Sequence, residues 1–455
     1  MKKVLIANRG EIALRVIRAC HEMDISTVAV YSEADAEALH VHVAKEAVCI
    51  GRAPSIESYL KVSSILSACQ VTGADGLHPG YGFLSENANF ASICESCDVQ
   101  FIGPSAKSIA LLGNKAAAKN LAKSVGCPVI PGSNGIVEDM EQALEEGKRL
   151  GFPLLIKAVG GGGGKGIRVA QNEEELAQNF LAAKAEAEVS FKEPDVYLEK
   201  MIQNPRHVEI QILADKYGNC VHLGERDCSI QRRRQKLIEE APSPRLSEEM
   251  RYQMGQSAIA IAKAANYFSA GTVEFLLDQE ENFYFMEVNT RIQVEHTVSE
   301  ELTGIDLVKE QIRIEQGEKL GYQQSDISFN GHVIECRINA ENPMNHFSPS
   351  PGDLRCYLPP GGPHLRVDSA CYTGYRIPPY YDSMIAKLIV RGKDRREAIC
   401  VLRRALREFH IDGVDTTIPF HLFMADHAPF FSGEYTIDLV DRLIADGENF
   451  VMEEG

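Results

Sequence analysis

Short apolar strands alternate with amphipathic helices over the first hundred residues, and this rhythm restricts the fold more than any other feature of the chain. Val4-Leu5-Ile6-Ala7 reads as a buried strand. Glu11 to Glu22 reads as a helix, with Ile12, Val16 and Ala19 on one stripe and Ala13, Ile17 and Cys20 beside it. Thr27 to Tyr31 is a second strand, and Phe101-Ile102-Gly103-Pro104 closes another. Repetition of strand, helix and strand predicts a parallel sheet covered by helices. A dinucleotide-binding unit would carry GxGxxG in its first turn, so that pyrophosphate can approach the helix. The turn here is Ala7-Asn8-Arg9-Gly10-Glu11, so nicotinamide binding is not the leading reading.

The chain has 455 residues, room for about three domains. Ala116 to Val125 predicts a helix, closed by Gly126 and followed by Pro128. A small α/β unit follows, with strand Leu154 to Ala158, a glycine loop, strand Ile167 to Ala170 and helix Glu173 to Glu188. Strands dominate again from His207. A further α/β unit closes the chain, with strand Met384 to Val390 and helix Arg395 to Phe409.

Charge and composition remove several function classes. Lys plus Arg is 47 against 64 Asp plus Glu, a net charge of −17, whereas nucleic-acid recognition needs a basic surface. Apolar residues make up 44% of the chain, enough to bury a large core and exclude disorder as the main reading. Met1-Lys2-Lys3 could open a secretory signal, but the apolar run after it stops at Asn8-Arg9, short of the about 7–15 residues required. No run reaches the roughly 20 apolar residues of a membrane span. A cytosolic protein without membrane contact is expected. The 12 cysteines are sparse and irregular, which fits buried thiols in a reducing compartment. Cys94 and Cys97 form a CxxC without a second ligand pair, so they read as two thiols on a helix.

Three segments carry chemistry. Gly160 to Gly164, with Lys165-Gly166, lies between two predicted strands. Successive glycines leave backbone N–H groups open to phosphate; the bland alternative is a flexible hairpin tip. The loop lacks the Lys-Ser/Thr ending of a Walker A motif and no helix follows it directly, so it reads as a flap over a nucleotide. Lys157, on the preceding strand, is placed to touch phosphate oxygens. In His207 to Ile212, strand alternation puts His207, Glu209 and Gln211 on one face, which by itself describes a half-exposed strand.

Strands Thr272 to Asp278 and Phe283 to Asn289 predict a hairpin around Gln279-Glu280-Glu281-Asn282. If Asp278 pairs with Phe283, Glu274 faces Glu287, and opposed like charges about 5 Å apart destabilise a sheet. A divalent cation between them reverses that sign. Asn289 adds an oxygen on the same face, the pattern expected of Mg²⁺ or Mn²⁺. The alternation continues through Arg291, Gln293 and Glu295, an extended row suited to a small anion, with Arg291 holding it and Glu295 as its base. The basic run Gln231 to Lys236 reads as an anion site in so acidic a chain.

Taken together, the motifs resemble the biotin carboxylases of the ATP-grasp superfamily. The segments that carry the resemblance are Ile6 to Ala13, His78 to Asn87, Lys157 with the glycine loop, Asn204 to Glu209, Glu225 to Ser229, Glu287 to His296 and Tyr380 to Met384. They span nearly the whole chain in family order. The resemblance implies domains over 1–113, 114–316 (with a lid at about 131–205) and 317–455. It implies that ATP phosphorylates bicarbonate to carboxyphosphate, which carboxylates the ureido N1 of biotin.

By the same resemblance, Lys115, Lys157, Gly163, Gly164 and His207 contact ATP phosphates or ribose, and Glu199, Lys200 and Ile202 hold the adenine. Gln231 and Arg234 join the ATP site. Glu274, Glu287 and Asn289 bind two Mg²⁺ or Mn²⁺ ions. Lys236, Arg291, Gln293 and the Val294 backbone hold bicarbonate, with Glu295 as its base. Arg337 stabilises the biotin anion, although a salt bridge on its strand face is the bland alternative. Arg234 stands where relatives often carry His, and Thr297 where they often carry Pro. No Met-Lys-Met occurs, so biotin is expected on a separate biotin carboxyl carrier protein, with carboxyltransferase subunits the further partners and a homodimer the assembly. Acetyl-CoA carboxylase in fatty acid synthesis is the expected context. Two alternatives remain: an ATP-grasp ligase joining a carboxylate to an amine, and a nucleotide-binding regulatory protein without turnover.

Overall fold

A computed structural model describes residues 1–158, 166–191, 195–448 and 450. Residue contacts divide the chain into two compact units. One comprises Met1–Cys127, Arg206–Phe275 and Glu287–Gly455; the other comprises Pro128–Pro205 and Leu276–Met286.

The N-terminal rhythm folds as expected. Strands β1 (Lys3–Ile6), β2 (Ser26–Ser32), β3 (Glu46–Gly51), β4 (Gly76–His78) and β5 (Gln100–Phe101) form a parallel sheet in the order β3-β2-β1-β4-β5. Helix Gly10–Glu22 buries Ile12, Ala13, Val16, Ile17, Ala19 and Cys20, the two neighbouring stripes read from the sequence. The turn before it is a structural tie. The Asn8 amide donates to the carbonyls of Pro79 and Tyr81, both at 2.7 Å, and so fastens two motif segments together. Gly80 sits at a φ of +63°, where an added Cβ would lie 2.8 Å from that amide, so only glycine fits.

The smaller unit contains strands β6 (Leu154–Ala158), β7 (Ile167–Ala170) and β8 (Val196–Lys200) in the antiparallel order β7-β6-β8. Helices Met140–Leu150 and Glu173–Phe191 pack on it over a core of Leu154, Ile156, Leu176, Phe180 and Leu198. The glycine run lies outside the described residues.

The larger unit holds most of an eight-stranded sheet. Strands β9 (Arg206–Ala214), β10 (Cys220–Arg232), β11 (Gln235–Ala241), β12 (Ser269–Leu277), β13 (Phe283–Asn289) and β14 (His332–Asn339) run in the order β13-β12-β9-β10-β11-β14, followed by Met384–Gly392 and Leu365–Ser369. Every residue of β9 is buried. The half-exposed strand suggested by alternation is therefore corrected: its polar face packs against other charged groups, which a period-2 pattern cannot distinguish from water. Helix His296–Thr303 covers the sheet through Val298 and Leu302, against Ala241, Val333 and Ile389. The strand predicted at 283–289 is present, but the extended row does not continue to Glu295. Beyond Asn289 the chain turns irregularly into the helix, because the Thr290 N–H is taken by the Glu86 carboxylate at 3.1 Å instead of a neighbouring strand.

All 12 cysteines are free thiols. Cys94 lies in helix Ala88–Ser96 and Cys97 caps its end. Among the described residues, no helix is long and apolar enough to cross a membrane.

Candidate active site

Lys236 is the centre of a charged cluster on the eight-stranded sheet. Its ammonium donates to Glu209 at 2.6 Å, Glu295 at 2.6 Å and Glu274 at 3.2 Å. Burial opposes the charge, but the carboxylates of Glu209, Glu274 and Glu295 outweigh it and hold the ammonium well above its ordinary range. Glu274 also accepts from the Asn289 amide at 2.8 Å and the Gln293 amide at 2.9 Å, and contacts His207 Nε2 at 3.0 Å. Burial favours the neutral acid at Glu274 and Glu295. Neighbouring Lys236 reverses this at both, with His207 helping at Glu274 and Arg337 at Glu295, so both stay ionised well below the usual carboxylate range.

Arg337 on β14 bridges two carboxylates. Its Nη2 lies 2.9 Å from Glu295 and 2.6 Å from Glu239, and its Nε donates to Glu239 at 2.7 Å. The strand-face salt bridge is therefore present, and one of its partners is Glu295. Arg226 on β10 lies beneath the cluster, with no exposed surface. It donates to Glu209 at 2.5 Å, Gln211 at 2.6 Å, Ser299 at 2.9 Å, Gln293 at 3.0 Å and Thr272 at 3.2 Å. A buried guanidinium with every nitrogen engaged fixes the side chains around it.

Arg291 donates to Glu86 at 3.0 Å and to the Asn289 amide oxygen at 3.2 Å. Val294 presents its carbonyl to the buried Lys387 ammonium at 2.8 Å. Gln231 is buried on β10 as the register partner of Lys236. The tip between β10 and β11 places Arg233 and Arg234 at φ +47° and +67°, both exposed. Arg232 turns aside, over the Phe347 ring at 4.9 Å. Of the basic run, Lys236 is the residue that enters the cluster. The Glu287 carboxylate pairs with Lys115 at 3.1 Å.

In the smaller unit, Lys157 on β6 is ion-paired to Glu199 on β8. Lys200 donates to the Phe152 carbonyl at 2.8 Å, and Ile202 is half-buried. Gly163 and Gly164 lie outside the described residues.

The donors suit a hard divalent cation. Glu274, Glu287 and Asn289 offer oxygen atoms, and ligand atoms of His207, Glu209 and Glu274 lie within 4.8 Å of one another. Sequence reasoning left Glu209, Arg226 and Glu239 out of the site. Glu209 had a signal, its place on the polar face of β9, and Arg226 lies inside the Glu225 to Ser229 segment. Glu239 had none, because a carboxylate near a strand end reads as solvated.

Three family models match the chain: "Biotin carboxylase, N-terminal domain" over residues 1–109, "Carbamoyl-phosphate synthase L chain, ATP binding domain" over 114–323, and "Biotin carboxylase C-terminal domain" over 335–442. Biotin carboxylase 1 of Bacillus subtilis is 58% identical over 442 residues, which cover 97% of this chain and 98% of that one. A solved structure of the Hydrogenobacter thermophilus 2-oxoglutarate carboxylase biotin carboxylase domain dimer, in complex with MgADP, ADP and bicarbonate, superimposes with a TM-score of 0.92. It is 50% identical and covers 100% of this chain and 99% of its own. The crystal structure of the biotin carboxylase portion of a pyruvate carboxylase superimposes with a TM-score of 0.88, at 49% identity and 100% coverage of both chains. Fold and ATP-binding domain define an ATP-grasp ligase. Within that class, the chain belongs to the biotin carboxylase family, enzymes that carboxylate biotin at the expense of ATP.

Proposed function

We propose that this chain carboxylates biotin carried on a separate biotin carboxyl carrier protein, using bicarbonate and ATP by way of carboxyphosphate. Lys236, Arg291, Gln293 and the Val294 backbone hold bicarbonate, Glu295 takes its proton, and Arg337 stabilises the biotin anion. Lys115, Lys157, Gly163, Gly164, His207, Glu199, Lys200, Ile202, Gln231 and Arg234 serve ATP. Glu274, Glu287 and Asn289 would hold Mg²⁺ or Mn²⁺, which supplies charge neutralisation at the phosphates. The carrying observation is the Lys236 ammonium set among Glu209, Glu274 and Glu295, with Arg337 on Glu295. Bicarbonate is a poor nucleophile and the ureido N–H a weak acid, so charge has to be met where it develops by groups already fixed in place. These charges are fixed by direct contact.

The chain is proposed to work as a cytosolic homodimer that serves the carboxyltransferase of acetyl-CoA carboxylase in fatty acid synthesis. Supporting this are its match to nearly all of the Bacillus biotin carboxylase and the dimer seen for the Hydrogenobacter domain. The test is phosphate release from MgATP with and without bicarbonate and free biotin. Release should need bicarbonate and rise with biotin, and Glu295→Ala and Arg337→Ala should each lower the biotin-dependent rate by about 10²-fold or more. Release indifferent to both ligands would return the chain to the wider ATP-grasp ligases. The complex captured on its biotinylated partner, supplied in turn with acetyl-CoA, pyruvate and 2-oxoglutarate, identifies the acceptor. A response to either keto acid alone would overturn the fatty-acid assignment.

A further inference from the structure

Two buried carboxyl groups behind the cluster have no part in the reading above. Glu239 on β11 and Glu335 on β14 are register partners, directly opposite one another on one face of the sheet. Both are 0% exposed. Side chains so placed are about 5 Å apart at Cβ, where like charges repel. Each carboxyl has one oxygen engaged: Oε1 of Glu239 accepts from Arg337, and Oε2 of Glu335 accepts from the Thr297 hydroxyl. The remaining oxygens, Oε2 of Glu239 and Oε1 of Glu335, are buried without a hydrogen-bond partner. A buried polar atom left without a partner is unfavourable. One proton between the two groups satisfies both oxygens, as O–H donor on one and acceptor on the other.

The charges around the pair favour that arrangement. Arg337 is the cation in contact with Glu239, and it also serves Glu295. The Lys236 ammonium is directed to Glu209, Glu274 and Glu295. Lys387, register partner of Arg337, is directed to the Val294 carbonyl and to Glu11 at 3.2 Å. His296, in the covering helix, is kept neutral by burial and by Lys387. Burial also pushes the thiols of Cys228 and Cys336 up, so they stay protonated. Burial, helped by the charge of Glu295, raises Glu239 to about 7 against the pull of Arg337 and Lys236, and burial, helped by the charge of Glu239, raises Glu335 to about 8 against the pull of Lys387.

We propose that Glu239 and Glu335 share one proton at neutral pH and act together as a positioning pair for Arg337. With one negative charge the pair fixes the guanidinium; with two it would draw that charge away from Glu295 and from the biotin anion. The inference rests on the role given to Arg337 above. When pH rises and the shared proton leaves, the biotin-dependent step slows.

The test follows biotin-dependent phosphate release against pH for the natural sequence and for Glu335→Gln, which keeps a donor but cannot ionise. The midpoint of the alkaline fall should move by about one pH unit or more in the variant, and superimposable profiles would overturn the proposal. Difference infrared spectra of the unliganded protein provide a readout independent of turnover. A carboxylic-acid carbonyl band should bleach as pH rises through 7 to 8 and be missing from Glu335→Gln; a natural protein without such a band has no shared proton. If release ignores bicarbonate and biotin, the functional reading fails, while the infrared band still decides the protonation of the pair.

Discussion

Lys236 shows how one side chain can organise several others. Three carboxylates converge on a single ammonium, and each is buried. Their attraction to Lys236 makes their burial tolerable. Lys236→Met would remove the one cation that Glu209, Glu274 and Glu295 share, and breaking a buried pair by removing one partner costs about 3–5 kcal/mol. Denaturant titration should show a loss of that size, together with loss of phosphate release. Unchanged stability would mean that solvent or a neighbouring proton already compensates these carboxylates. Of the residues singled out in the sequence for bicarbonate and metal, Lys236 from the basic run, Glu274 and Asn289 from the hairpin, and Gln293 and Glu295 from the row after it meet in one hydrogen-bonded cluster. The groups that hold them were not legible in the sequence. Arg226 reaches five side chains drawn from four separate stretches of sequence, and no local pattern reveals that.

At the level of elements, the turn after β13 matters most. Alternation from Glu287 to Glu295 looks like one strand, but the ladder ends at Asn289 and the helix begins at His296. The turn still gathers Gln293 and Glu295 onto the same ammonium and amide partners, so the expected neighbours meet without the expected geometry. Thr297 donates to Glu335 and ties the start of the helix to β14. Thr297→Val keeps the volume and removes the donor, leaving Oε2 of Glu335 without its partner. A loss of about 1–3 kcal/mol is expected, measured by thermal or denaturant unfolding. A variant as stable as the parent would show that this hydroxyl has no structural weight.

On the scale of the molecule, the α/β class and the N-terminal parallel sheet were legible from periodicity, since every strand there pairs with one next to it in sequence, and only the β1–β4 pairing is distant. The eight-stranded sheet was not. Its central pairing joins Ile238, Glu239, Glu240 and Ala241 of β11 to Cys336, Glu335, Ile334 and Val333 of β14, almost a hundred residues later. Register between segments so distant leaves no local mark, and such contacts form slowly. The family models meet between residues 323 and 335, whereas the sheet runs unbroken across that seam. Residues 114–323 expressed alone would lack β14 and the two strands beyond it, exposing the length of β11 as an unpaired edge. Aggregation, or the absence of a cooperative melt, is the expected outcome; a monomer with a sharp transition would refute it. The same ladder limits how such genes can recombine. A crossover at the seam would splice half of a hydrogen-bonded sheet from one parent onto half from another. Glu239 and Glu335 would then be inherited separately, so only parents agreeing at both positions should yield working chimaeras.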